Sequence, residues 1–159
     1  MTRAAVITVS DRSAEGARPD TSGPIAVSAL RDAGFDCADA VVVADGADSV
    51  ERALTAEVVA GVKLIVTTGG TGVSPRDQTP EGTARVVTRQ VPGIAEELRR
   101  RGAAEKPAGM LTRGIAGVVD PHGALVVNLP GSPGGVTDGM PVVLSVARHL
   151  LDQLGGGDH

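Results

Sequence analysis

The residues best suited to chemistry lie in one stretch, residues 67–81, which reads Thr-Thr-Gly-Gly-Thr-Gly-Val-Ser-Pro-Arg-Asp-Gln-Thr-Pro-Glu. Three glycines within four positions allow the backbone to adopt positive φ and to approach a ligand closely. Backbone N–H groups in such a loop bind anions, and the N-terminus of a following helix adds partial positive charge. Arg76 and Asp77 add a cation and a carboxylate. The stretch therefore predicts a phosphate-binding loop with charged side chains beside it.

The elements around this loop are a strand before it and a helix after it. An apolar run at 62–66 precedes the glycines, and Thr79-Pro80-Glu81 has the cap residue, proline and acid typical of a helix start. The same order of strand, polar loop and helix recurs along the chain. Strands are predicted at 4–9, 40–43, 62–66, 115–119 and 124–129; helices are predicted from 21 or 22 to 34, from 48 or 49 to about 60, from 79 to an interruption at 92–93, over 94–101 and from about 136 to 154, with a short helical piece at 107–113.

This alternation predicts an α/β fold, a three-layer sandwich with a mostly parallel sheet. The turn Pro121-His122-Gly123 joins the last two strands as a hairpin, so we expect one antiparallel strand at the edge of the sheet. We expect residues 1–154 to form a single domain and residues 155–159 a flexible tail.

Four polar loops follow the main predicted strands, and each combines glycine with aspartate, serine or threonine. They lie at 10–20, 45–49, 69–77 and 130–135. Ligands of open α/β sheets bind beyond the carboxyl ends of the strands. We therefore expect the four loops to meet in one crevice.

Several familiar site patterns do not fit. No Gly-Lys-Ser/Thr completes a Walker A loop, and Pro75 stands where a Rossmann fingerprint needs its last glycine. Pro130 replaces the first glycine of a nucleophile elbow at 130–134. The histidines and Cys37 show no zinc-ligand spacing.

The charge and the amino-acid composition indicate which kinds of partner the protein is expected to bind. The 159 residues carry a net charge of −4 with a pI of about 5.3 and include one aromatic residue, Phe35. No cluster of Lys and Arg dominates, so we expect binding neither to nucleic acid nor to a membrane. One cysteine cannot form an internal disulfide, and neither a signal peptide nor a membrane-spanning stretch is evident. These properties predict a cytoplasmic protein.

Read together, the loops resemble the signature of the molybdopterin-binding family, which includes the bacterial Mog and MoaB proteins and the G domains of gephyrin and plant Cnx proteins. The similarity covers roughly residues 4–154 in five ordered blocks. These are Val9-Ser10-Asp11 with Pro19-Asp20 and Ser22-Gly23-Pro24; residues 42–45; Thr67-Thr68-Gly69-Gly70-Thr71-Gly72 with Pro75-Arg76-Asp77 and Thr79-Pro80-Glu81; Leu111-Thr112-Arg113 with Ala116-Gly117; and Val127-Asn128-Leu129-Pro130-Gly131-Ser132-Pro133.

The resemblance implies an activity. Catalytic members transfer AMP from ATP to the terminal phosphate of molybdopterin, with Mg²⁺, and release pyrophosphate. Members are typically trimers and some form hexamers, and the adenylylated product is the substrate of molybdenum insertion, so a hand-off to the insertase is implied. Thr112 stands where the family usually has serine, which keeps the hydroxyl. Arg76-Asp77 resembles the pattern of the active members.

The resemblance also implies roles for individual residues. Asp45 and Asp77 are expected to hold Mg²⁺, and Asp77 to help orient the attacking phosphate. Arg76 and Arg113 are expected to offset phosphate charge. The substrates would be bound by Ser10, Asp11, Asp20, Gly69, Gly70, Thr71, Gly72, Arg76, Arg113, Asn128, Pro130, Gly131 and Ser132.

Other interpretations stay open. Asp45 could belong to an ordinary Asp-Gly turn, Asp77 could be an additional helix cap, and Arg113 could pair with a surface acid. At the level of the whole protein, the alternatives are a non-catalytic molybdopterin-binding or carrier protein of the MoaB type and an interaction module.

Overall fold

The computed structural model describes residues 1–157 and is built on one seven-stranded sheet. The strands are β1 (Arg3–Val9), β2 (Asp36–Cys37), β3 (Val41–Val43), β4 (Leu64–Thr68), β5 (Arg89–Gln90), β6 (Ala116–Val119) and β7 (Ala124–Leu129). The order across the sheet is β2, β1, β4, β7, β6 and β5, and β3 pairs with β1 beyond the end of β2. β1, β2, β3, β4 and β7 are parallel, whereas β6 is antiparallel to both of its neighbours.

Six α-helices and one 3₁₀ segment cover the sheet within residues 1–157. The helices are α1 (Asp11–Ala14), α2 (Ser22–Asp32), α3 (Ala47–Val59), α4 (Thr79–Ala84), α5 (Pro92–Glu105) and α6 (Pro133–Leu154), and the 3₁₀ segment is Pro107–Leu111. No helix in this part of the chain is both long and apolar enough to cross a membrane.

Two hydrophobic cores lie on the two faces of the sheet. Because neighbouring strand residues point to opposite faces, Leu64 and Val66 pack with α2, α5 and α6, whereas Ile65 packs with α3. All residues of β4 and β7 are buried, which explains their continuous apolar sequence. The predicted three-layer α/β sandwich is confirmed.

The structure differs from the prediction at the sheet edge and at several helix ends. The antiparallel strand is β6, and the two-residue β5 lies outside it. The helix expected to end at Gly102 continues to Glu105, since Gly109 of the 3₁₀ segment packs directly on Gly102. The last helix begins at Pro133, three residues earlier than predicted, because the Ser132 hydroxyl caps it by accepting from the Gly135 N–H at 3.1 Å.

The chain end was expected to be a flexible tail at 155–159. Residues 155–157 form a turn in which the N–H of Gly157 donates to the Asp152 carbonyl at 2.8 Å. Residues 158–159 lie outside the described residues.

Candidate active site

A cleft of about 700 Å³ opens at the carboxyl ends of the parallel strands. All four loops expected to converge contribute to it, since a parallel sheet brings them to one edge. Eight of the predicted site residues line this cleft: Ser10, Asp20, Asp45, Gly69, Gly70, Asp77, Gly131 and Ser132. Seven others lie around it without lining it: Asp11, Thr71, Gly72, Arg76, Arg113, Asn128 and Pro130.

The glycine-rich loop is shaped by close backbone contacts. Gly69 and Gly70 have φ of 92° and 68°, and a Cβ on Gly69 would collide with the carbonyl oxygen of Val9. The loop is held from both sides, since the Gly69 N–H donates to Leu129 O at 3.1 Å and the Thr79 hydroxyl donates to Gly69 O at 2.9 Å. The N–H groups of Gly70 and its two successors donate to no acceptor within residues 1–157. The loop thus presents free backbone donors, as an anion site requires.

Glycine is required at position 72 for space and not for backbone conformation, since the φ of Gly72 is not positive. A Cβ at this position would lie 2.8 Å from Oδ2 of Asp77. Glycine therefore makes room for the Asp77 carboxylate, whose Oδ2 accepts from the Ser74 N–H at 3.1 Å.

Arg113 holds this loop from outside the cleft. Its backbone N–H donates to Thr71 O at 2.7 Å, its Nε to Gly72 O at 2.8 Å and its Nη2 to Asp77 O at 2.7 Å. Its Nη1 also donates to Glu81 Oε2 at 2.6 Å, and this contact lowers the pKa of Glu81. These contacts fix the loop that carries Asp77, and the predicted phosphate contact of Arg113 stays a prediction.

Arg76 joins three loops in the same way. Its Nε and Nη2 each donate to Asp11 at 3.0 Å, which lowers the pKa of Asp11, and Nη2 also donates to Asp45 O at 3.0 Å. Asp11 and Asp45 exchange a second pair of bonds, because each backbone N–H donates to the other carboxylate at 3.0 Å. Arg76 and Asp11 thereby orient Asp45, and neither residue lines the cleft.

The carboxylates of Asp45 and Asp77 lie against the glycine-rich loop, since a Cβ on Gly70 would be 3.1 Å from Oδ1 of Asp45 and one on Gly72 would be 2.8 Å from Oδ2 of Asp77. Burial raises the pKa of Asp45. The negative charges of Asp11 and Asp77 also raise this pKa, whereas the hydrogen bond from the Asp11 N–H lowers it. Oδ1 of Asp45 and Oδ1 of Asp77 accept no hydrogen bond within residues 1–157.

The carboxylate oxygens of Asp45 and Asp77 are ligands suited to a divalent cation, and a bound cation would relieve the repulsion between the two carboxylates. The described residues contain no group of three or more His, Cys, Asp or Glu that could hold a metal ion by themselves. Mg²⁺ commonly uses one or two carboxylates and completes its shell with water and substrate phosphates. The two aspartates therefore suit Mg²⁺ that is bound together with a phosphorylated substrate.

The other side of the cleft is formed by the starts of α2 and α6. Asp20 accepts from the Thr8 hydroxyl at 2.7 Å and from the Gly23 N–H at 3.0 Å. Thr21 is the N-cap residue of α2, but its side chain makes no capping hydrogen bond, so the Asp20 carboxylate supplies the acceptor for the first turn. The Ser22 hydroxyl instead donates to Gly131 O at 2.7 Å and joins the two helix starts.

Sequence reasoning missed two kinds of cleft residue. Thr8 and Thr68 are the polar residues at the ends of otherwise apolar strands and face each other in the register of β1 and β4. Thr68 is 1% exposed, and its hydroxyl has no hydrogen-bond partner in the described residues. Arg18 also lines the cleft. The two threonines could have been found in the sequence as polar residues near the carboxyl end of an otherwise apolar strand. Nothing in the sequence distinguished Arg18 from its neighbours.

Asn128, which was predicted to contact the substrate, is buried in the core and does not line the cleft. Its Nδ2 donates to the hydroxyls of Thr67 at 2.9 Å and Thr83 at 3.0 Å, and its Oδ1 accepts from the Ile115 N–H at 3.1 Å. The side chain thus links β7 to β4, to α4 and to the start of β6.

Comparison with known proteins identifies the family and the fold. A family described as "Probable molybdopterin binding domain" matches residues 5–149. The chain belongs to this molybdopterin-binding family. Within the family, the "Molybdopterin adenylyltransferase" of Pyrococcus furiosus is 35% identical over 149 residues, which cover 92% of this chain and 87% of that protein.

Solved structures of the molybdopterin-binding family share the fold. The Mog protein of molybdopterin biosynthesis from Mycobacterium ulcerans superimposes with a TM-score of 0.91 at 45% identity, covering 97% of this chain and 99% of that one. A "Molybdenum cofactor biosynthesis bifunctional protein" of Synechococcus elongatus is 40% identical over 98% of this chain, but the match covers 48% of that protein. The chain spans about half the length of the two bifunctional relatives it matches, 48% and 50%.

Proposed function

We propose that the protein is a molybdopterin adenylyltransferase of molybdenum cofactor biosynthesis. The observation that carries this proposal is the meeting of free backbone donors at Gly70 with the carboxylates of Asp45 and Asp77 in one cleft. Such a cleft combines an anion site with a cation site, as transfer between two phosphorylated substrates requires. The names of relatives that cover most of this chain support the same activity.

In the proposed reaction, an oxygen of the molybdopterin phosphate attacks the α-phosphorus of ATP. A new P–O bond forms, the bond between the α-phosphorus and the bridging oxygen to the β-phosphorus breaks, and pyrophosphate leaves with that oxygen. Mg²⁺, when bound, would neutralise charge on the phosphates. The free N–H group of Gly70, which lines the cleft, would hold a phosphate oxygen, and Asp77 would orient the attacking group.

Several charged side chains around the cleft would act by holding Asp45 and Asp77 in position. Arg113 fixes the loop that carries Asp77, and the pair of Arg76 and Asp11 fixes Asp45. Ser10, Asp20 and Ser132 line the remaining surface and offer hydroxyl and carboxylate groups to a pterin. Because both arginines are engaged by protein groups, the loop geometry is set before substrate arrives, which lowers the cost of orienting it.

The test is an assay of AMP transfer with molybdopterin and MgATP, read as pyrophosphate release and as adenylylated product. We expect transfer that requires both substrates and stops when the divalent metal is chelated. Pterin binding without Mg²⁺-dependent ATP binding would instead identify the carrier alternative. A folded protein that binds neither substrate would contradict both.

Asp77→Ala sharpens this test. We expect turnover to fall about 100-fold while molybdopterin affinity changes little, because the carboxylate acts on the metal and the reacting phosphate. Asp48→Ala is the matched control, since Asp48 pairs with Arg85 at 2.7 Å and does not line the cleft. A large loss of pterin affinity with unchanged turnover in Asp77→Ala would contradict the assigned role.

Assembly and cellular context also belong to the proposal. Trimer formation and hand-off of the product to the molybdenum insertase are expected from the family, and a cytoplasmic location is expected from the composition. The fused relatives, named as bifunctional proteins of molybdenum cofactor biosynthesis, support a physical link with another step of the same process.

A further inference from the structure

Arg18 is the basic side chain of the cleft. Within residues 1–157, no other arginine or lysine lines it. Arg18 is exposed and forms no hydrogen bond or ion pair with another described residue. Pro19 follows it and restricts the backbone on both sides of the bond, so the loop presents Arg18 from a limited set of conformations.

Arg76 and Arg113, the two arginines predicted to contact phosphate, form hydrogen bonds with other groups of the protein. Arg76 pairs with Asp11 through two donors, and Arg113 pairs with Glu81 and with the carbonyls of the glycine-rich loop. Breaking these contacts to reach a phosphate would leave charged and carbonyl groups unpaired. The positive charge available to a ligand in the cleft is therefore that of Arg18.

The surroundings of Arg18 favour an anion. α2 and α6, which have 11 and 22 residues, both begin at this side of the cleft, and the Ser22 hydroxyl joins their starts by its bond to Gly131. The buried hydroxyl of Thr68 lines the same cleft and has no hydrogen-bond partner among residues 1–157. The carboxylate of Asp20 is also present, but each of its oxygens already accepts a hydrogen bond, from Thr8 and from Gly23.

We propose that Arg18 binds a phosphate group of a substrate at the side of the cleft where α2 and α6 begin. This inference rests on the proposed function, which supplies two phosphorylated ligands. The phosphate belongs either to the nucleotide or to the pterin, and guanidinium groups recognise both through paired N–H donors.

The experiment compares Arg18→Ala with Arg12→Ala by calorimetry, using MgATP, pyrophosphate and molybdopterin as separate probes. Arg12 is the matched control because it is equally exposed, lies in the adjacent α1 and does not line the cleft, so both variants lose the same net charge. We expect Arg18→Ala to weaken one class of probe about tenfold or more, as for a lost charge-assisted hydrogen bond. Arg12→Ala should bind within about twofold of the wild type, because Arg12 does not line the cleft and physiological salt screens an exposed charge.

The probes distinguish the two sources of phosphate. Loss confined to MgATP and pyrophosphate places the nucleotide at Arg18, and loss confined to molybdopterin places the pterin phosphate there. Arg18→Lys should recover part of the lost affinity, because lysine keeps the charge but not the paired donors.

Equal affinities of Arg18→Ala and Arg12→Ala for all three probes would overturn this inference while leaving the proposed function intact. If the wild type bound none of the probes, the proposed function would fail and this inference with it. Thermal unfolding of both variants, expected to match the wild type because both side chains are exposed and unpaired, separates a binding effect from a folding effect.

Discussion

Asn128 provides the sharpest test of whether a predicted site residue acts on the ligand or on the fold. Substitution Asn128→Ala removes three hydrogen bonds, those to Thr67, Thr83 and Ile115. Asn128 is 3% exposed, and both threonines are fully buried, so water replaces few of these contacts. The change should therefore lower stability far more than it changes ligand affinity.

The magnitude follows from the number of bonds. A typical intramolecular hydrogen bond contributes about 1 kcal/mol net, so three contribute about 3 kcal/mol. The orphaned N–H of Ile115 adds a cost, although this residue is only half-buried and water can reach part of it. We expect a loss of about 2–4 kcal/mol in the free energy of unfolding, against a typical domain total of about 5–15 kcal/mol.

Urea denaturation followed by circular dichroism measures this quantity, with an unchanged m-value as the check on two-state behaviour. Thr83→Val, which removes one bond at constant shape, should cost about 1 kcal/mol. Thr137→Val at an exposed position should change stability by less than about 0.5 kcal/mol. A loss below about 1 kcal/mol in Asn128→Ala, combined with a large loss of pterin affinity, would refute the structural role and return Asn128 to the binding site.

Two further substitutions test how the glycine-rich loop is held. Gly69→Ala should lower the free energy of unfolding by about 2 kcal/mol or more in urea denaturation, because its φ of 92° and its contact with Val9 O exclude a side chain; an unchanged stability would show that the loop relaxes freely. Arg113→Lys should lower turnover more than it raises the KM for MgATP, since lysine cannot reach the carbonyls of Gly72 and Asp77 together. Steady-state kinetics measures both constants, and a rise in KM alone would instead indicate direct contact with the nucleotide.

The main strands and the convergence of their loops were predictable from sequence because each depends on a strong local signal. β4 and β7 are buried on both faces, so each reads as an apolar run, and the loops that follow parallel strands must meet at one edge. The two-residue strands β2 and β5 carry no periodicity, since a pair of residues cannot show alternation, and tertiary pairing alone makes them strands.

The roles of the charged residues were less predictable for a related reason. The sequence places Arg76 and Arg113 beside a phosphate-binding loop, but their partners Asp11 and Glu81 are 65 and 32 residues away along the chain. An arginine satisfied by the protein and one free for a ligand have the same local sequence pattern. Arg18 shows the converse, because its position in the cleft depends on how the loop before α2 folds over the sheet.

The balance of charge in the cleft bears on the order in which partners arrive. Within residues 1–157, the cleft is lined by three aspartates, Asp20, Asp45 and Asp77, and by one arginine. Arg76 and Arg113 do not line it, and each is paired with a carboxylate of the protein. A metal-free polyphosphate approaching this surface meets net repulsion, so its association should quicken as added salt screens the charges. The same polyphosphate carrying a divalent cation is less negative, and the carboxylates of Asp45 and Asp77 would attract that cation. If the proposed function holds, the metal complex of a polyphosphate should therefore associate with the cleft faster than the metal-free form, and this preference acts before any bond to the nucleotide forms.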